Sequence, residues 1–186
     1  MCQANSMMEM GGNTILTIDK QKKYTQHAYY KINTAQTAEE NCVSHNGGLI
    51  PVPGRDIMVQ GWYQGGVSVM DFTNSDKPEE LAFFDRGPID AAPGADVPAP
   101  PAQPGGRGNR GTIGGSWGAY YWNGYIYSSE IDRGFDIFEL EPSDQLSKNE
   151  IEAAKLVRFV EYNPQSQPRI VWPAAFPVVR SYLDQL

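Results

Sequence analysis

Cysteine is almost absent from this chain: Cys2 and Cys42 are the only two in 186 residues, and neither stands in a CxxC pair. That excludes a zinc-ribbon site and a multi-disulfide framework, and leaves a single bond between the two open. No apolar run is long enough to cross a bilayer, so no membrane span is expected. Positive charge is in deficit, 15 Lys and Arg against 22 Asp and Glu for a net charge of -7. The counterion release that drives nucleic-acid binding therefore has no source, and no nucleic-acid partner is expected. GxSxG, Walker-type Gly-rich, HExxH and dinucleotide fingerprints are all missing, which removes the common local signatures of nucleophilic, phosphate and zinc chemistry. Residues 1–10 show neither a basic n-region nor an apolar h-region, so no export signal is recognisable. The alternatives are a cytoplasmic protein or a piece lacking its natural start.

What the chain does have is turn formers and aromatics: 19 Gly, 14 Pro and 11% Phe, Trp and Tyr. That mixture favours short strands joined by tight turns over long helices. The length suits one domain with one core or a few repeated units, and an apolar content of 40% is too high for disorder.

The strands repeat. The string Arg55-Asp56-Ile57-Met58-Val59-Gln60-Gly61-Trp62-Tyr63-Gln64-Gly65-Gly66-Val67-Ser68-Val69-Met70-Asp71-Phe72 aligns without a gap, at a constant offset of 68, with residues 123–140. Each copy reads as a turn, a strand, a second turn closing on Gly66 or Gly134, and a strand ending in an acid. A Gly-rich apolar stretch precedes each copy (42–52 and 116–122), and a strand-like run follows (80–85 and 156–162). Four short strands per unit is the pattern of a propeller blade. The expected fold class is all-β, a β-propeller fragment of about two full four-stranded blades, 42–85 and 116–162, plus a partial one in 1–34. In that partial unit residues 13–19 correspond to a third strand and 24–32 to a fourth.

Pro51 and Pro53 lie two apart, which puts both missing N–H groups on one side of a strand and predicts an unpaired inner edge facing a central channel. The third strands are apolar on both parities, as sheets packed between neighbours require. Segment 86–115 breaks the pattern with six Pro and eight Gly in 30 residues and reads as a surface loop. A short helix is expected within 143–156, capped by Ser147 with Glu150 three residues on. The 163–186 tail is Pro-interrupted and should end in a helical turn over 178–186.

The strings Glu40-Asn41-Cys42-Val43-Ser44-His45-Asn46-Gly47, Gly54-Arg55-Asp56-Ile57-Met58-Val59, Trp62 to Thr73, Phe84-Asp85-Arg86-Gly87-Pro88 and Asn123 to Glu130 together resemble the C-terminal part of bacterial LVIVD-repeat proteins, from about residue 13 to the end. The resemblance implies a β-propeller and, for most relatives, an exported protein of roughly twice this length or more, hence an extracellular or periplasmic location. This chain departs from the pattern in lacking the earlier blades and the signal sequence, and in its longer Pro/Gly segment. The expected partners are the remaining propeller blades or further copies of the chain, and a protein or small-molecule ligand that the family does not identify.

Candidate site residues follow from the blade reading. His45 begins an inner strand beside Glu40 and Asn46, where a propeller opens its channel mouth and ligands sit, which would suit a metal-ligand or general-base role. The competing account is a histidine bonding neighbouring loops, and the second unit offers Trp117 at the loosely corresponding place. Glu130, Asp132 and Asp136 surround Arg133 on the second hairpin; they satisfy a calcium loop only in part, and an Arg133 ion pair with a turn acid is the plainer account. Glu40, His45 and Glu130 are the weak metal candidates, a divalent cation is the only cofactor candidate, and no catalytic residue is assigned. Asp19, Asp71 and Glu139 end equivalent strands and should cap the turns that follow. His27 should serve surface or packing. Trp62, Tyr63, Trp117, Tyr120, Tyr121 and Trp122 suit either sugar stacking or packing between blades.

Three functional readings stand: a non-enzymatic binding scaffold, a propeller enzyme (a metal-assisted hydrolase or lyase) using Glu40, His45 and Glu130, and a truncated gene product without independent function. One prediction needs the sequence alone. Limited trypsin digestion should cut first at Arg107 or Arg110 in the Pro/Gly-rich segment, because nicking concentrates at exposed loop tips; fragments arising first within residues 57–72 would show that the core lies elsewhere.

Overall fold

The computed structural model describes residues 11–33, 40–87, 89, 114–163 and 169–186. Most of segment 86–115, the Met-rich start and Cys2 lie outside these described residues. Among the described residues nine strands form three antiparallel sheets. The first pairs β1 (Asn13–Ile18) with β2 (Tyr24–Tyr30); the second has the order β3 (Gly47–Ile50), β4 (Ile57–Gly61), β5 (Val67–Asp71), β6 (Glu79–Phe84); the third has β7 (Ser116–Trp122), β8 (Tyr125–Glu130), β9 (Gly134–Phe138). Two short helices, α1 (Lys148–Lys155) and α2 (Phe176–Asp184), follow. The expected all-β class holds for the strands and sheets.

The internal repeat is visible in the pairing. Met58 pairs with Met70, Val59 with Val69, Gln60 with Ser68 and Gly61 with Val67. At the same offset of 68, Ile126 pairs with Phe138, Tyr127 with Ile137, Ser128 with Asp136 and Ser129 with Phe135. Hairpin register depends on the connecting turn, and both turns close on a glycine in the left-handed region, Gly66 at φ 77° and Gly134 at φ 101°. The β7–β8 turn is built on Asn123-Gly124, with φ 53° and 109°, the positive pair that a type I′ turn requires and that Asn-Gly supplies at least cost.

Alternation along these strands gives each sheet two faces, and the second sheet buries both. Ile57, Val59, Val67 and Val69 share one face with Ile50, and they pack with Ala119, Tyr121 and Ile126 of the third sheet. Gln60, Trp62, Ser68 and Met70 lie on the other face, where Trp62 and Met70 pack with Tyr30. Polar contacts cross both interfaces in matching places. Tyr30 Oη lies 2.7 Å from Ser68 Oγ and 3.0 Å from Glu80 Oε2; burial is the largest cause holding this phenol above its ordinary pKa. Arg86, just past the end of β6, bonds Asp136, which stands 68 residues after Ser68. Asn13 Nδ2 donates to Gln60 Oε1 at 2.5 Å.

Three expectations need correction. The second unit has three strands, not four: residues 156–162 form no strand, because α1 occupies the chain after β9, and the segment beyond it turns back to Asn123. The Asn123 side chain bonds both the N–H and the carbonyl of Phe159 there. Pro51 and Pro53 lie beyond β3, in the loop to β4, so they do not mark a strand edge. They are fully buried, and their carbonyls accept from Trp172 Nε1 at 2.7 Å and Gln185 Nε2 at 2.8 Å. The C-terminal helix begins earlier than expected, at Phe176, with Pro177 in its first turn, where a missing N–H costs nothing.

The short helix has the expected cap: Ser147 Oγ accepts from Glu150 N, and Glu150 Oε2 accepts from Ser147 N. Glu150 does more than cap. Its Oε1 lies 2.9 Å from Arg55 Nη1, while Arg55 also holds Asp71 Oδ2 through Nε and Nη2 at 2.9 and 2.5 Å. Burial opposes the charge of this guanidinium, but its bonds to Asp71 and Glu150 outweigh that and hold it above its ordinary range. The three-residue network ties α1 to the second sheet, and Leu146, Ile151 and Ala154 join the core beneath it.

The two turn glycines separate strain from space. A Cβ on Gly66 would lie 2.0 Å from the Phe84 carbonyl oxygen, whereas one on Gly134 would meet nothing within 4 Å. Gly134→Val should therefore cost only the left-handed backbone penalty, about 1–2 kcal/mol. Gly66→Val should exceed it by roughly 2 kcal/mol or more, because backbone must move. Urea unfolding midpoints of the two variants check the order; equal losses would show that the Gly66 turn is not packed against β6.

Candidate functional site

Antiparallel pairing brings the predicted residues to one end of the sheets. Gly47 at the start of β3 pairs with Gln60, next to the 62–66 turn. Ser116 at the start of β7 pairs with Glu130, next to the 131–133 turn. Asn13 at the start of β1 pairs with Tyr30. Glu40, His45, Asn46, Glu130 and Arg133 all lie on or beside these connections.

They do not converge on one centre. His45 is half-buried, with its ring 4.1 Å from Trp117 and 4.9 Å from Tyr63, centroid to centroid. Its Nδ1 bonds the Trp117 carbonyl. A carbonyl only accepts, so Nδ1 carries the hydrogen and Nε2 is the remaining ring nitrogen. The backbone of His45 is also engaged, its N–H with Gly61 O at 2.9 Å and its O with Gln60 Nε2 at 2.7 Å. His45 thus bonds residues of the neighbouring strands β4 and β7, and Trp117, which the sequence placed at the loosely corresponding position, is its contact. Asn46 is exposed, and its carbonyl accepts from Gly61 N at 3.0 Å and Ala119 N at 3.2 Å. Through it β3 meets β7 in a single parallel bridge, Asn46 with Gly118.

Glu130 is buried and ion-paired with Arg133, Nε to Oε1 2.9 Å, while Arg133 Nη1 reaches the Gly87 carbonyl at 3.3 Å. A buried carboxylate is tolerable when its charge is met this way. Asp136 serves Arg86, and Asp132 is exposed, so the acids around Arg133 are dispersed and form no calcium loop. Glu40 is buried and has a partner. The hydrogen bonds of His45 go to neither Glu40 nor Glu130. Among the described residues no group of three or more His, Cys, Asp and Glu could hold a metal ion, so Glu40, His45 and Glu130 do not assemble into the weak metal set.

Other expectations resolve individually. Asp19 and Asp71 cap as expected: Asp19 Oδ1 accepts from Gln21 N and Lys23 N, and Asp71 Oδ1 from Thr73 N. Glu139 does not; with no fourth strand to turn into, it pairs with Lys155 at 2.8 Å. His27 bridges Thr17 Oγ1 and Asp76 Oδ1 on the surface. Trp62 and Tyr121 are packed inside, whereas Trp117 is exposed beside Tyr63 and His45. What this end of the molecule offers a ligand is therefore a small aromatic shelf with ring nitrogen and hydroxyl groups at its edge. At the opposite end of β3, a cavity of ≈ 90 Å³ between Ile50, Arg55, Ile170 and Trp172 is well below the size that takes a typical small-molecule ligand.

One set of contacts was not anticipated from sequence. Arg55 joins Asp71 and Glu150, two acids that lie 16 and 95 residues away, and no local spacing signals such a network. The single disulfide left open by the sequence is formed at Cys42. No helix among the described residues is long and apolar enough to span a membrane. Comparison with protein-family models, with characterised proteins and with solved structures found no match to this chain.

The Glu130–Arg133 pair predicts a measurable asymmetry. Arg133→Ala leaves a buried carboxylate unmet and should cost about 2 kcal/mol, below the range for fully buried pairs because Arg133 is partly exposed. Adding Glu130→Gln should recover much of that loss. Chemical denaturation of the single and double variants reads this; no recovery would mean that Glu130 is stabilised by groups other than Arg133.

Proposed function

We propose that the chain is a segment of a β-propeller that acts as a non-enzymatic interaction scaffold in an oxidising compartment, outside the cell or in the periplasm. The observation that carries this reading is the stacking rule. Each sheet lays one defined face on the opposite face of the next, and the second and third sheets repeat the same register at an offset of 68, as blades around a ring do. The resemblance to LVIVD-repeat proteins points to the same architecture.

The scaffold role rests on what the polar residues at the loop end are doing. Glu130 neutralises Arg133, His45 and Asn46 join β3 to β7, and each is spent on holding strands together. The shelf of exposed Trp117 with half-buried Tyr63 and His45 is the surface left for a partner. The oxidising location is supported by the Cys42 disulfide, a bond that persists outside the reducing cytosol.

Two measurements test the reading together. Hydrogen exchange should be slowest in β4 and β5, which are covered on both faces, and faster in β1, β2, β8 and β9. Equal protection of all three sheets would contradict stacking. Protein recovered from the periplasm should show no reactive thiol until reduced, and reduction should lower its unfolding free energy by about 2–4 kcal/mol; two free thiols in the exported protein would contradict the location.

A further inference from the structure

The outermost faces of the first and third sheets are apolar and, among the described residues, uncovered, and the repeat says what each should face. On the third sheet the exposed face carries Tyr125, Tyr127, Phe135 and Ile137. At the offset of 68 these stand where Ile57, Val59, Val67 and Val69 stand on the second sheet. Val67 and Val69 are 5% and 3% exposed under the third sheet, yet Phe135 and Ile137 are 62% and 59% exposed. The residues have the pattern of an interface that the described residues do not themselves supply.

The first sheet shows the converse. Tyr30 on its inward face packs on the second sheet and Ile15 is buried, while Leu16, Ile18 and Tyr24 on the outward face are 49%, 57% and 66% exposed. Ile18 corresponds to Met70, which is buried in the interface between the first and second sheets. The two uncovered surfaces are thus the two complementary halves of one interface that the molecule already makes twice.

Resting on the stacked-blade reading, we infer that two copies of this chain associate head to tail: the Phe135 and Ile137 face of one copy receives the Leu16, Ile18 and Tyr24 face of the other, and the same contact on the far side closes the ring. A contact between unlike surfaces forms a ring when its rotation closes and a filament when it does not. Three sheets per copy make six in a pair, within the four to eight blades that propellers use. The occupant follows from the repeat: the surface that fits the third sheet's outer face is a sheet patterned like the outer face of the first, and a second copy carries one. Uncovered apolar surface of this extent at both ends is what soluble monomers avoid.

Size-exclusion chromatography with light scattering on the full oxidised chain is the test. The unaltered protein should run at twice its 20.6 kDa mass. Phe135→Glu and Ile18→Glu, each at a position exposed in the single copy and so compatible with folding, should each weaken the pair by about 30-fold or more. Mixing the two variants should restore pairing, because one intact head then meets one intact tail. A monomer at every concentration overturns the proposal, as does pairing that survives Ile18→Glu, which would mean that like faces meet. A ladder of larger species overturns ring closure. Val69→Glu reports separately on the stacking. If it unfolds the chain while the unaltered protein stays monomeric, the blade reading stands and only the docking fails; if the charge is tolerated at both Val69 and Ile137, the stacking fails as well.

Discussion

Burial of the second sheet on both faces is the constraint on which the rest depends. A single sheet in water hides neither face by itself, so a strand such as β5, with Val67 and Val69 on one side and Met70 on the other, needs neighbours in both directions to bury them. Tyr30 provides one neighbour; Ala119, Tyr121 and Ile126 provide the other. The first and third sheets in turn gain order from what they cover.

Polar groups set the angles at which these sheets meet. Tyr30 with Ser68 and Glu80, and Arg86 with Asp136, place a donor from the end of one sheet's last strand onto the third strand of the next. Buried hydroxyls and carboxylates without partners would cost more than their bonds gain, so they select a single geometry among many apolar packings. Arg55 does the same for the helices, joining α1 to β5 through Asp71 and Glu150. Replacing a fourth strand by α1 leaves β9 as the edge of its sheet, and the third sheet's outer face stays uncovered.

The loop end follows the same logic. Its charged and aromatic residues were candidates for chemistry because sequence places them at strand starts, where folds commonly build sites. Packing assigns them otherwise: Glu130 meets Arg133, and His45 meets Trp117. A structural role and an interaction surface coexist here, since the ring of Trp117 that packs on His45 is also exposed to partners.

Much of the architecture was legible in the chain because it depends on local period and turn chemistry. Alternating β-branched residues, Asn123-Gly124, and the glycines at 66 and 134 define the hairpins and their register without reference to anything distant, and the Ser147 and Glu150 pair announces α1. What sequence could not settle were contacts between positions far apart. Residues 156–162 have the composition of a strand, but the chain spends α1 first and is then held at Asn123. Pro51 and Pro53 read as an edge signal until the C-terminal Trp172 and Gln185 are seen to cover them. Of the candidate site residues Glu130 does meet Arg133, while His45 bonds Trp117 instead of an acid; whether two polar groups meet is decided by side-chain direction and sheet twist, which no single-strand periodicity contains.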